Sequence, residues 1–103
     1  MPTFSGRSYG DAPVYKTVAA SQTTAQICSE GGYIDTLTVV PASSTPQAVA
    51  LLDGSTTLFT IPAGIGGDTK PYTLFIHACS KSTGGFKITT GASVAVIVSG
   101  NFD

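Results

Sequence analysis

The sequence predicts an all-β fold: an antiparallel β-sandwich or barrel of about eight short strands, jelly-roll-like, behind an extended N-terminal arm. Three observations carry this. The chain has 103 residues, the size of a single domain with one modest core. Its polar share comes from Ser and Thr, 26 in all, with 12 Gly and 6 Pro; Thr and Val suit a half-buried pleated surface, while Ser, Gly and Pro suit turns. Short apolar runs cut by turn signals recur along the chain, and no useful length of helical period interrupts them.

The first element is residues 1–13, MPTFSGRSYGDAP, which have no periodicity. One reading is a frayed terminus, the usual fate of end segments. The other is an arm that docks on a partner, with Phe4 and Tyr9 as anchors and Arg7 as a polar contact, because disordered tails seldom carry aromatics. The β-domain then occupies residues 14–103.

Eight runs follow: VYKTVA (14–19), TAQIC (24–28), YIDTLTVV (33–40), QAVALLD (47–53), TTLFTI (56–61), YTLFIHA (72–78), FKITT (86–90) and SVAVIVSG (93–100). SEGG separates the second from the third, and PASSTP the third from the fourth. Asp53-Gly54-Ser55 is a hairpin signal, since Gly takes the positive φ of a tight turn. PAGIGGDTKP is a longer connection, and STGG and TGA read as two further hairpins.

Alternation assigns faces. Tyr72, Leu74, Ile76 and Ala78 share one side of the sixth run, and Thr73, Phe75, His77 and Cys79 the other. In the third, strict alternation groups Ile34, Thr36, Thr38 and Val40 against Asp35, Leu37 and Val39. The last run sets Val94, Val96 and Val98 against Ala95 and Ile97. A strand apolar on both faces is covered on both sides. In a chain this short, the second cover is expected to be another subunit.

Charge points the same way. Charged residues make up 11% of the chain and the net charge is −1, against about 25% charged in an ordinary soluble domain. Arg7, Lys16, Lys70, Lys81 and Lys87 are scattered, so the basic patch that nucleic-acid binding requires is missing and no nucleic-acid partner is expected. No apolar stretch approaches the roughly 20 residues of a membrane helix. No apolar signal region opens the chain, so it is expected to be made in the cytoplasm. A surface this poor in charge is weakly protected against sticking to neighbours, which suits a permanently assembled protein.

Candidates for chemistry are few. His77, the single histidine, stands two residues from Cys79, where Cβ atoms on one strand face lie about 6.5–7 Å apart. A cysteine nucleophile needs a base within hydrogen-bond reach and a group to orient that base. No Asp, Asn or Glu adjoins them along the chain, which leaves orientation to a residue distant in sequence. Two Cys and one His without C-x-x-C spacing are too few for a zinc site. A Cys28–Cys79 bond would close a long loop, but a reducing cytosol disfavours it, so free buried thiols are the expectation. The acids Asp11, Glu30, Asp35, Asp53, Asp68 and Asp103 show no pairing by spacing. AGIGGD and STGGF lack the Lys and the following helix of a phosphate loop. No catalytic residue, metal or cofactor is therefore expected, and the chain reads as a non-enzyme.

Taken together, VYKTVAASQTTAQI, LTVVPASSTPQAVALLDGS and STGGFKITTGASVAVIVSGNF resemble small structural proteins encoded near the capsid genes of tailed bacteriophages. The likeness runs from about Val14 to Phe102 and rests on the opening strand, the central DGS hairpin and a closing KITTGA hairpin running to the C-terminus. It implies a capsid decoration, or cement, protein on the virion exterior, forming a homotrimer and bracing adjoining capsomers through the major capsid protein. Phe86 stands where the family would carry a larger aromatic, and His77 and Cys79 are not family features.

Two other classes remain beside it. A phage tail or fibre-tip module that binds carbohydrate or a receptor would also be all-β and non-catalytic, although Trp, a favoured sugar platform, is absent. An enzyme would need an acid/base constellation that the sequence does not offer. Within the virion reading, the outward stripe carrying Phe75 and His77 is expected to be a subunit contact.

Overall fold

The computed structural model describes residues 14–28 and 32–102, which form eight strands and no helix. They are β1 (Val14–Val18), β2 (Ala25–Gln26), β3 (Tyr33–Pro41), β4 (Val49–Asp53), β5 (Thr56–Ile61), β6 (Tyr72–Cys79), β7 (Phe86–Thr90) and β8 (Val94–Asn101). Each lies where the sequence predicts one, although the TAQIC run keeps only two strand residues. Phe4, Arg7 and Tyr9 lie outside the described residues.

The strands build two antiparallel four-stranded sheets, ordered β1-β8-β3-β6 and β2-β7-β4-β5. The pairings are nested: β1 with β8, β2 with β7, β3 with β6, and β4 with β5. A long hairpin folded over itself gives this order, with β3–β8 and β4–β7 contacts added by the roll. This is the winding of a jelly roll. The expected hairpins at STGG and TGA are corrected by it. β6 to β7 and β7 to β8 each cross from one sheet to the other, so only β4 and β5 form a hairpin between consecutive strands. There Asp53 pairs with Thr56 and Gly54 takes φ 64°, the positive value that Gly adopts without steric cost.

The inner faces meet in one core. Val18, Leu37, Val39, Val96 and Val98 come from the first sheet, and Val49, Leu51, Phe86 and Ile88 from the second. Ile34 corrects the strict alternation. It lies on the core side with Leu37 and Val39, because the ladder shifts register between Ile34 and Thr36. Asp35 is the extra residue against β8, and across β6 it faces two residues, Ile76 and His77. One inserted residue flips the phase of everything after it. The double apolarity of β3 is thus partly an internal matter, with Thr36, Thr38 and Val40 left on the outer side.

Two buried polar residues fasten opposite ends of the sandwich. Thr90 pairs with Val49 at one end of β4; its hydroxyl donates to the Ala19 carbonyl at 2.6 Å and accepts from the Gln22 N–H at 3.0 Å. At the other end Asp53 accepts from Ser80 Oγ at 2.7 Å, the Lys81 N–H at 2.8 Å and Ser82 Oγ at 3.1 Å. That ties the DGS hairpin of the second sheet to the segment leaving β6 in the first. Burial pushes the Asp53 carboxyl up, but these hydrogen bonds outweigh it and hold the group below its ordinary value.

Candidate functional site

The outer face of the β1-β8-β3-β6 sheet follows from register. Tyr15, Ser99, Thr36 and Phe75 align in one row across the four strands, and Thr17, Ile97, Thr38 and Thr73 in the next. Ala95 and Val40 begin a third. None of these side chains is charged. Tyr15 and Phe75, at the two edges of the first row, are 71% and 72% exposed, and Ile97 sits exposed in the second. Thr38 and Thr73 bond to each other through their hydroxyls at 3.0 Å, so part of the polarity is already satisfied within the sheet. The opposite sheet presents Lys87 beside Gln26 and Leu52 on its own outer side, so these charge-free rows belong to the first sheet.

The bulge organises one corner of this face. His77 has φ 49° and is the one residue within a strand, among the described non-glycines, to take a positive φ. Such a conformation is costly for an L-residue, though His tolerates it better than most. The twist of the backbone brings His77 Nδ1 to 3.0 Å from Asp35 Oδ1 and 3.2 Å from the Tyr33 hydroxyl. The imidazole then stacks on Phe75, centroids 5.8 Å apart and planes 5° from parallel. Loss of hydration, the neighbouring Asp35 carboxylate and Cys79 all push the Tyr33 phenol up, and its hydrogen bond to Asp35 adds to this. Tyr33 and Asp35 thus fix His77, and His77 steadies the exposed Phe75 ring.

The sequence left orientation of His77 to a distant residue, and Asp35 is that residue. It reaches the histidine through strand pairing and the bulge, and no local spacing signals it. Phe75 and His77 are both exposed on the side that alternation gives them. Tyr15 was missed as a site residue. The signal was present, since Tyr15 alternates outward between Val14 and Lys16, but its alignment with Phe75 depends on the strand order. The thiols differ from expectation: both are free, but only Cys28 is buried, whereas Cys79 is exposed. Cys28 lies inside against the Phe86 N–H at 3.5 Å, while Cys79 ends β6 on its outer side, opposite Tyr33. Among the described residues no group of three His, Cys, Asp or Glu is placed to hold a metal ion.

Comparison with protein-family models, curated proteins and solved structures finds no match to this chain.

Proposed function

We propose that this chain is a non-enzymatic structural protein of a phage virion, a decoration protein that sits on the capsid exterior and braces the head. It does so by assembling with copies of itself and with the major capsid protein. The observation that carries the reading is the pair of uncharged central rows on the outer face of the first sheet, with Tyr15 and Phe75 held out on the first. A free monomer gains nothing from two widely exposed aromatics on a charge-free surface, whereas a protein that spends its life in contact uses both. The likeness of the strand and turn segments to capsid-associated proteins supports the same reading. The mechanism is mechanical: contact area is added across capsomer junctions, and several weak contacts on one assembly reinforce each other by effective concentration.

A carbohydrate- or receptor-binding module at a tail or fibre tip is the second reading. The feature that favours it is the same pair of aromatics flanked by the hydroxyls of Ser99, Thr36 and Thr17, a combination that also suits sugar rings.

Quantitative mass spectrometry of purified particles separates the two. Copies in the hundreds on heads support decoration, a few copies at the tail support the tip module, and absence from particles sinks both. Removal of residues 1–13 is expected to leave a folded domain that heads no longer retain. Unchanged occupancy by the truncated chain would refute a docking role for the arm.

A further inference from the structure

The outer face of the β1-β8-β3-β6 sheet has a symmetry of its own. Strand positions read across the sheet, β1 mirrors β6 and β8 mirrors β3 about the line between β8 and β3. In the first row this exchanges Tyr15 with Phe75 and Ser99 with Thr36; in the second, Thr17 with Thr73 and Ile97 with Thr38; in the third, Ala95 with Val40. Aromatic matches aromatic at the edges of the first row, and hydroxyl matches hydroxyl in one inner pair, Ser99 with Thr36, and one edge pair, Thr17 with Thr73.

We infer that this face is a twofold self-association surface whose occupant is a second copy of the chain. The twofold axis lies in the contact plane, runs along the strands and passes between β8 and β3. It sets Tyr15 of each copy over Phe75 of the other, as an isologous interface requires. Two stacked sheets pack about 10 Å apart with strands within about 30° of alignment, which this axis permits. No like charges meet across the central rows, because those rows carry none. The Asp35–His77 pair lies outside them, at the rim, where polar groups belong in an interface.

Area supports a second copy. Aromatic side chains bury roughly 150 Å² or more each, so the four rings of two copies supply about 600 Å². That is more than a third of the roughly 1,600 Å² that a standard interface buries, and the hydroxyl, Ile97, Val40 and Ala95 surface between them supplies further contact. Phe75 is also held ready, because its ring is already stacked on His77, which Asp35 and Tyr33 fix. An anchor ordered in the free chain loses less freedom on binding. The strained φ of His77 thereby acquires a use: His77 is a positioning residue for Phe75. This inference rests on the face itself and holds whether or not the virion reading does.

The full chain is expected to sediment as a dimer at micromolar concentration, with no particle present. Phe75→Glu should weaken dimerisation by about tenfold or more while leaving the circular dichroism spectrum and melting curve in place, since the residue is exposed. Geometry is tested in a Cys79→Ser background with a short bis-maleimide linker, because facing positions on sheets about 10 Å apart are too distant for a disulfide. Mixed Tyr15→Cys and Phe75→Cys chains should link to each other. Each alone should not, because the two edge positions are three strand spacings, about 14 Å, apart across the sheet. A monomer, a trimer, a dimer indifferent to Phe75→Glu, or single variants that link as readily as the mixture would each overturn the inference. Dimerisation in a protein absent from virions would uphold it while removing both virion readings.

Discussion

Two residues carry strain or charge that can be read out directly. Asp53 is buried and its carboxyl is held below its ordinary value, burial being outweighed by the bonds from Ser80, Lys81 and Ser82. Its contribution is therefore complete above the unfolded carboxylate value of about 3.9 and disappears as pH falls through the lower folded value. Asp53→Asn is expected to melt several degrees below the parent at neutral pH, with the gap closing as pH falls below about 3.9; thermal melts across that range check it. His77 works in the opposite sense. Its left-handed backbone costs about 1 kcal/mol in an L-residue, and its side-chain bonds lie at an exposed site where they return little. His77→Gly should raise the melting temperature by a few degrees while weakening self-association, because Phe75 loses its stacked partner. A variant that lost stability and kept its association unchanged would show that the strain has no such purpose.

At the scale of elements, the strands were legible and their company was not. Alternation and turn residues located β3 and β6 because each signal is local. The register shift at Asp35 was not legible, because a bulge is decided by what lies across the ladder, on β6 and β8. That one residue moved Ile34 into the core and turned a lone His77 into a His77–Asp35–Tyr33 corner. STGG and TGA looked like hairpins for the same reason: a turn signal says that the chain reverses, but not which sheet receives the next strand. Thr90 carries a prediction at this scale. Its hydroxyl joins the end of β7 to the segment between β1 and β2, so Thr90→Val keeps the shape and leaves the Gln22 N–H and Ala19 carbonyl without that partner. Loss of about 1–3 kcal/mol is expected by denaturant titration, with amide exchange rising first around Ala19 to Gln22 and little change in the Asp53 corner.

For the whole molecule, the candidate face emerges only after winding. Tyr15 and Phe75 are far apart in sequence, and the β1-β8-β3-β6 order puts them on one row. The low charge announced a protein that tolerates contact, but which side makes the contact depends on the strand order. At the open side of the sandwich Lys16 points inward; its ammonium donates to the Ile27 carbonyl and lies 5.5 Å from the Phe102 ring. An inward charge on edge strand β1 discourages that edge from recruiting further strands, which directs association toward the sheet's face. Lys16→Met is accordingly expected to preserve the fold and to increase aggregation on concentration, measured by light scattering.

The nested pairing also sets a clock. Val14, where β1 begins, has its partner at Gly100, almost the last residue of β8. A ribosome emits β1 before any of the other seven strands, so this strand has nothing to pair with until β8 has been made. β4 and β5 can close first, followed by β6 on β3 and by β7 on β4 and β2, all before β8 appears. The sandwich is therefore completed by a long-range closure of the kind that slows folding to milliseconds or seconds. Any nascent copy therefore carries Tyr15 on an unpaired strand until β8 emerges.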